Sequence, residues 1–436
     1  MILLAIAALG VLLAQSSPVP PPRFPSPVLT DIDGSPFLSE TDADADLTGV
    51  QIFVAGGLES QPQDANGIAA LVAQTIVLTP ERIGSQPALP VRDAIARAGG
   101  TLSFTIDGTT AHYYLEARAD HLAALLDAFD AAIAKPDFSA ATVDAARNEL
   151  DAHIGDNEAN PLAVGIQMFK RSYYLNGAGS PTTGTVATLS QIDGAQLADF
   201  YVHAYRRGGL SISAVGRITP DLTASLRTLA DALPPGAPPA VSSSVKTLSP
   251  DNGSRIIAER DVDAPFLVVG FGAPSPSDKD FGPMLLIESL LATSFDRSVA
   301  TTPTLAQRMV SAFYLYDSTP ASFVVFVNGA RVEPTLALRE VLLVTQSLAT
   351  KPLDADALAR FKNAATGAFV ADTLTLADRS YLLGTLARQG LGPDAMNAAI
   401  AAVNNTTADD VERVAKRYLQ KYIVAVVLPR SGQSGQ

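Results

Sequence analysis

At 436 residues, 47% hydrophobic and 17% charged, the chain has material for two or three packed domains, and bulk disorder is excluded. A formal charge of −13 supplies no basic stripe to neutralise phosphates, so a nucleic-acid partner is not expected. There is no cysteine, which removes disulfides, thiolate metal sites and cysteine nucleophiles from consideration.

The chain opens with MILLAIAALGVLLAQSSP, an apolar run of signal-peptide length and too short for a relaxed membrane span. Residues 1–14 are expected to be a signal peptide cleaved after Ala14, and the protein to be periplasmic or secreted. No Lys or Arg precedes the run, so an uncleaved anchor or a misassigned start is the competing reading. Residues 15–46 begin with SSPVPPPRFPSP, a proline-rich segment that reads as an extended tether, and folded structure is expected from Leu47. No later segment is long and apolar enough for a transmembrane span.

LTGVQIFVAGG reads as a strand, followed through a loop by a helix over GIAALVAQTIVLTPE. VRDAIARAGG is a short helix closed by glycines, and TLSFTIDGTTAHYYLEARA alternates as a hairpin with Asp107-Gly108 at its turn. Helices are expected over HLAALLDAFDAAIAKP, over SAATVDAARNELDAHIGDN from a serine N-cap, and over DGAQLADFYVHAYRRGG, with a strand at LSISAVGRI. DALPPGAPPAVSSSVKTLSP is a linker by composition. The same grammar then restarts with strand FLVVGFGAP, helix PMLLIESLLATSF, and a strand and helix in SFVVFVNGARVEPTLALREVLLVTQSLATKP.

The halves repeat. AIAKPDFSAATVDAARNEL pairs with SLATKPLDADALARFKNAATGAF, and LSQIDGAQLADFYVHAYRRGGLSISAVG with VNNTTADDVERVAKRYLQKYIVAVVLP. The unit is too long for a solenoid and reads as a duplicated domain. The expected division is 47–235 and 251–430, joined by a linker at 236–250 and ending in a tail at 431–436. Alternating strands and helices point to a layered architecture of helices on sheets, and two similar lobes often enclose a cleft.

Local signals for chemistry are sparse. His112, His121, His153 and His203 fall in no two-histidine zinc spacing. Glu149 and His153 lie four apart on one helix face, half of a metal site at best, with an exposed charge-neighbour pair as the plainer reading. Phosphate loops, dinucleotide glycine fingerprints and nucleophile elbows are missing.

The whole pattern resembles the insulinase and mitochondrial-processing-peptidase family of zinc peptidases. In that family a strand leads through a loop to a helix of the form G-x-x-H-x-x-E-H, and a glutamate some 75 residues on completes the zinc site. Here VQIFVAGG, the loop with Glu59 and the helix GIAALVAQTIVLTP match that framework. The histidines fall on Ala70 and Gln74, the general-base glutamate on Ala73 and the distal glutamate on Glu149, within NELDAHIGDNEANP. GSPTTGTVATLSQIDGAQLADFYVHAYRRGGLSISAVG resembles a further family stretch. The resemblance implies an α+β fold of two homologous lobes, each a largely antiparallel sheet with helices packed on it, forming a clamshell.

The departures shape the functional expectation. Ala70 offers zinc no donor, the Gln74 amide is a poor ligand, and Ala73 cannot take a proton from water. The family's substrate-binding edge strand carries Asn-Ala after Gly-Gly, whereas here Gly99-Gly100 leads to Ser103 and a bulky Phe104. An Arg and Tyr seven apart contact substrate in many relatives; Arg308 with Tyr314 or Tyr316 is the nearest counterpart, at six or eight. The resemblance therefore implies a non-catalytic subunit that completes the peptide chamber of a homologous zinc-bearing partner, with zinc in that partner and no cofactor here. A stand-alone peptide-binding or scaffolding protein is the alternative, and an active zinc peptidase with a relocated site is the third reading.

Overall fold

The computed structural model describes residues 22–430 except 86, 239, 241–243, 247, 249–253, 302–307 and 330–332. The expected signal peptide at 1–14 and the tail at 431–436 lie outside the described residues.

The N-terminal lobe runs through β1 (Val28–Ile32), β2 (Ser35–Thr41), β3 (Leu47–Ala55), α1 (Ile68–Leu78), a ribbon of β4 (Pro80–Glu81) and β5 (Leu89–Pro90), and α2 (Val91–Arg97). It continues through β6 (Thr101–Ile106), β7 (Thr110–Arg118), α3 (Leu122–Ala134), α4 (Ala140–Ala159), α5 (Pro161–Tyr173), α6 (Val186–Leu189), α7 (Gly194–Ala204), β8 (Ser211–Gly216) and α8 (Pro220–Ala232). The C-terminal lobe contains β9 (Ser254–Arg260), β10 (Phe266–Gly272), α9 (Phe281–Thr301), β11 (Arg308–Leu315), β12 (Ser322–Gly329), α10 (Pro334–Thr350) and α11 (Ala355–Ala371). It closes with α12 (Leu376–Leu386), α13 (Ala395–Asn405), α14 (Ala408–Tyr418) and β13 (Tyr422–Pro429).

Each lobe is a mostly antiparallel sheet with helices against it, the α+β architecture expected. The strand orders are β1-β2-β8-β3-β7-β6 and β11-β12-β10-β13-β9. Reversed, the second reads β9-β13-β10-β12-β11 and matches β2-β8-β3-β7-β6 strand for strand. Even the single parallel pairing recurs, β2 with β8 and β9 with β13. The duplication visible in sequence is thus a duplication of topology, and β1 is an addition at one sheet edge.

Residues 28–41 correct the expectation that folded structure starts at Leu47. SPFLSET buries Phe37 and Leu38 and pairs parallel with β8, with Phe37 opposite Ile212. Phe24 also departs from the tether reading. Its backbone N–H donates to Asn397 Oδ1 at 2.9 Å, the Asn397 amide donates to the Phe24 carbonyl at 3.0 Å, and its ring is buried in the C-terminal core. The proline-rich composition masked this docking, because a single aromatic anchors it.

The lobes interleave. By position in the repeat α5 and α12 correspond, yet each packs on the other lobe's sheet: α5 on β10 and β13, α12 on β3 and β8. Close approach demands glycine on both sides of this exchange. A Cβ on Gly270 would lie 2.1 Å from the Phe169 ring, and one on Gly384 would lie 2.3 Å from the Phe53 ring. Ser213 Oγ donates to the Ser380 carbonyl at 2.6 Å across the same contact, and Arg379 pairs with Glu40. The interlocking surfaces hold the two sheets in one body. The linker is itself tied to α5: Lys246 N–H donates to the Tyr173 carbonyl at 2.7 Å.

Candidate functional site

All eleven residues of α1 are buried, the polar Gln74 and Thr75 among them. Its entry is set by Gly67, at φ 96°, whose N–H donates to Gln61 Oε1 at 3.1 Å. The Gly184 backbone lies so near Gly67 that a Cβ at either position would meet the other's Cα at 2.7–2.8 Å, which brings the Thr182–Thr183 loop beside the helix. From the other side, the β6–β7 turn accepts hydrogen bonds from the N–H groups of Leu58 and Glu59 at 2.9 and 2.8 Å. Helix, loop and hairpin are therefore held in one register.

Between α1, α2, α4 and β6 lies a cavity of about 420 Å³. Ala70, Gln74, Arg92, Ser103, Phe104 and His153 are among its lining residues. Ala73 is absent from that lining: it is 0% exposed and belongs to the hydrophobic core behind. The structure brings Gln74 and Glu149 into contact, with Gln74 Nε2 donating to Glu149 Oε2 at 2.7 Å.

Arg92, which no sequence pattern singled out, dominates the site. Its guanidinium grips Glu149 with two bonds, Nη1 to Oε2 at 2.8 Å and Nη2 to Oε1 at 3.2 Å. This two-pronged geometry is the strong form of a carboxylate contact. Hydrogen bonding from Arg92 is the first cause that holds the Glu149 carboxyl below its usual range, against the opposing effect of partial burial. Nothing local could have revealed it, since the partners are 57 residues apart. His153, one turn beyond Glu149, is exposed and its positive charge, when present, adds to the same lowering.

The edge strand keeps its backbone available. β6 ends the sheet order and, among the described residues, pairs only with β7. Ser103 is exposed, while the Phe104 ring turns against the lobe core, with its centroid 6.3 Å from that of Tyr113. Phe104 thus packs as part of the wall and leaves the strand's outer edge open.

The tyrosines expected to contact substrate do not reach this cavity. Tyr314 is buried in the C-terminal core against Phe281, and its hydroxyl donates to the Pro274 carbonyl at 2.5 Å. Tyr316 stacks edge-on against both rings. The alternation of SAFYLYDS turns these side chains into the lobe's own packing. Arg308 opens β11 opposite Gly329, and its side chain lies outside the described residues.

A family model described as insulinase, peptidase family M16, matches residues 37–186. The N-terminal lobe is an insulinase-family domain. The matched span runs from β2 to the start of α6 and includes the whole of the Arg92–Glu149 site. No curated protein matches the chain significantly.

Solved structures share the fold over nearly the entire chain. A protease from Helicobacter pylori aligns at a TM-score of 0.81 and 13% identity, covering 93% of this chain and 100% of that one. A peptidase M16 inactive domain from Pseudomonas fluorescens aligns at 0.78 and 17% identity, covering 94% and 100%. A chain of complex III2 from Candida albicans aligns at 0.75 and 13% identity, covering 92% and 95%. The insulinase fold therefore extends through both lobes.

The zinc that the family implies does not fit the residues of this insulinase-family lobe. Ala70 has no donor atom, Gln74 turns its NH2 toward Glu149, and both Glu149 oxygens are taken by cationic or amide N–H groups. A zinc site needs three protein donors with free lone pairs. Among the described residues no group of three or more His, Asp or Glu side chains converges in a way that could hold a metal. The helix keeps its place in the fold while the site's positive charge comes from an arginine.

Proposed function

We infer that this chain is the non-catalytic subunit of a heterodimeric zinc peptidase, completing the peptide-binding chamber of a homologous zinc-bearing partner. One observation carries the reading: the cavity and its open edge strand are kept, while Arg92 and Gln74 engage the carboxylate that zinc would need. Strand addition to β6 would hold an extended peptide through its backbone, with the apolar lining of Leu102, Ile106 and Val77 to receive side chains. The apolar run at residues 1–14 supports export to the periplasm or medium, and N-terminal sequencing of the mature protein tests it.

The experiment is co-expression with a zinc-motif-bearing homologue from the same source. A stable complex with peptidase activity above that of the homologue alone is expected. Absence of both a complex and a gain in activity ends the reading. The stand-alone peptide-binding alternative draws on the same cavity and edge strand. Peptide capture by the isolated chain, without any partner effect, favours that alternative.

A further inference from the structure

The Arg92 guanidinium has more donors than Glu149 uses. Nη1 and Nη2 each give one hydrogen to the carboxylate, and Nε makes a longer bond of 3.4 Å to Asp93. One N–H on each terminal nitrogen therefore has no partner among the described residues. The same side chain lines the cavity together with Ser103, Phe104 and Thr105 of the open edge strand. A peptide added to that strand turns alternate carbonyls away from it, and an acceptor there is what the spare donors lack.

We propose that Arg92 does at this site what a metal does in a peptidase without the chemistry: it anchors Glu149 and presents hydrogen-bond donors to a backbone carbonyl of a bound, extended peptide. The proposal rests on the peptide-binding reading above. The local charge decides between a neutral carbonyl and a terminal carboxylate. The guanidinium is already balanced by Glu149 and flanked by Asp93, and Asp156 and His153 also face the cavity, so carboxylates outnumber cations there even with the histidine charged. A further carboxylate would meet these negative charges, whereas an amide carbonyl takes the donors without adding charge. The ligand class is thus an internal stretch of peptide, bound away from its C-terminus.

The test uses the full chain and a synthetic library of decapeptides with acetylated N-termini, in amidated and free-acid forms. Peptides captured by the wild type are re-measured against Arg92→Met/Glu149→Gln, which removes the cation and the carboxylate charge together, and against Arg92→Lys. At least a tenfold loss of affinity is expected for the double variant, with a circular dichroism spectrum and Tm near those of the wild type. Arg92→Lys, which keeps the charge but not the planar fork, is expected to lose several-fold. Thioamide replacement scanned along the best peptide should weaken wild-type binding at one internal position and have no effect there in the double variant.

Unchanged affinity in Arg92→Lys and the double variant overturns the proposal while leaving the peptide-binding reading intact. If the double variant does not fold, unchanged affinity in Arg92→Lys together with a flat thioamide scan does the same. Tighter capture of free-acid peptides that depends on Arg92 also overturns it, by making a chain terminus the ligand. A wild type that captures no peptide, either alone or in complex with its zinc-bearing homologue, overturns both the proposal and the peptide-binding reading.

Discussion

The Thr319 backbone N–H of the C-terminal lobe donates to Glu59 Oε1 of the N-terminal lobe at 2.9 Å. Glu59 sits in the loop between β3 and α1, so this bond joins the far lobe to the segment that delivers the site helix. Asp107 and Asp317 lie close by, with Lys170 and Arg388 as the nearby cations. Burial is the first cause that pushes Glu59 up to about 7 and Asp107 up to about 6, with Asp317 raising both further.

Both carboxyls hold their protons more tightly folded than unfolded, so their contribution to stability is full below about pH 4 and is lost as pH rises to about 7. Replacing Glu59 by Gln mimics the protonated form. The Tm of Glu59→Gln is expected to match that of the wild type near pH 4 and to exceed it at pH 7.5. Parallel Tm profiles for the two proteins between these pH values would refute the assignment.

One glycine in the exchanged helix α12 and one in α4 predict opposite outcomes on change to alanine. At Gly384 a Cβ would press on Phe53 at 2.3 Å and on Ser213 Oγ at 2.7 Å, so Gly384→Ala should destabilise by about 1–3 kcal/mol through overpacking. Gly155, inside α4, has nothing within 4 Å of a built Cβ. There the same substitution should stabilise by about 0.5–1 kcal/mol, because alanine favours a helix interior. Thermal or denaturant unfolding of the two variants reads the contrast directly.

Phe24 provides a test of the docked N-terminal segment. Its ring is 8% exposed, with its centroid 6.3 Å from that of Phe369, and the Arg379 guanidinium sits 5.1 Å above it. Phe24→Ala should cost about 3 kcal/mol, the low end for a buried phenylalanine. It should also raise the rate of proteolysis near residues 22–27, measured by mass spectrometry of a limited digest. A loss below about 0.5 kcal/mol would show that the segment contributes no core packing.

Reinstated metal ligands are expected to bind zinc more weakly while Arg92 holds Glu149. In Ala70→His/Gln74→His the new histidines must still compete with Arg92 for Glu149, whose charged hydrogen bonds are worth about 1.5–3 kcal/mol. Adding Arg92→Met should therefore tighten zinc binding by about tenfold, as measured by competition with a chromophoric chelator. Further addition of Ala73→Glu should lower the Tm, because position 73 is 0% exposed and lies in the core. Equal zinc affinity with and without Arg92 would show that the arginine does not hold the carboxylate in solution.

Local pattern carried a large part of the fold. IAALVAQTIVL, apolar apart from Gln74 and Thr75, marks a helix, and all of it is buried. The alternation around Asp107-Gly108 marks the β6–β7 hairpin, where Asp107 Oδ1 accepts from the Thr109 and Thr110 N–H groups at 2.7 and 2.5 Å. Such signals are readable because turn chemistry and side-chain period act over a few residues. Phe37 facing Ile212 is a different case: a parallel neighbour that distant in sequence leaves no periodic trace. The β1–β2 pair itself is a local hairpin, Ile32 opposite Ser35 across Asp33-Gly34, and the proline-rich approach masked its turn signal; only the pairing of β2 with β8 lay beyond local pattern.

By itself, then, the sequence determined the duplication, the alternation of sheet and helix, and, through the family resemblance, the departure from the zinc motif: no histidine at Ala70 or Gln74 and no general base at Ala73. These follow from residue identity and order. Only the tertiary structure decided what holds Glu149 and how α5 and α12 bind each lobe to the other's sheet. The Arg92–Glu149 pair shows the physical reason. A charge-assisted contact between two helices depends on where the chain places their axes, and that placement is set by packing throughout the lobe rather than by any spacing between the two residues.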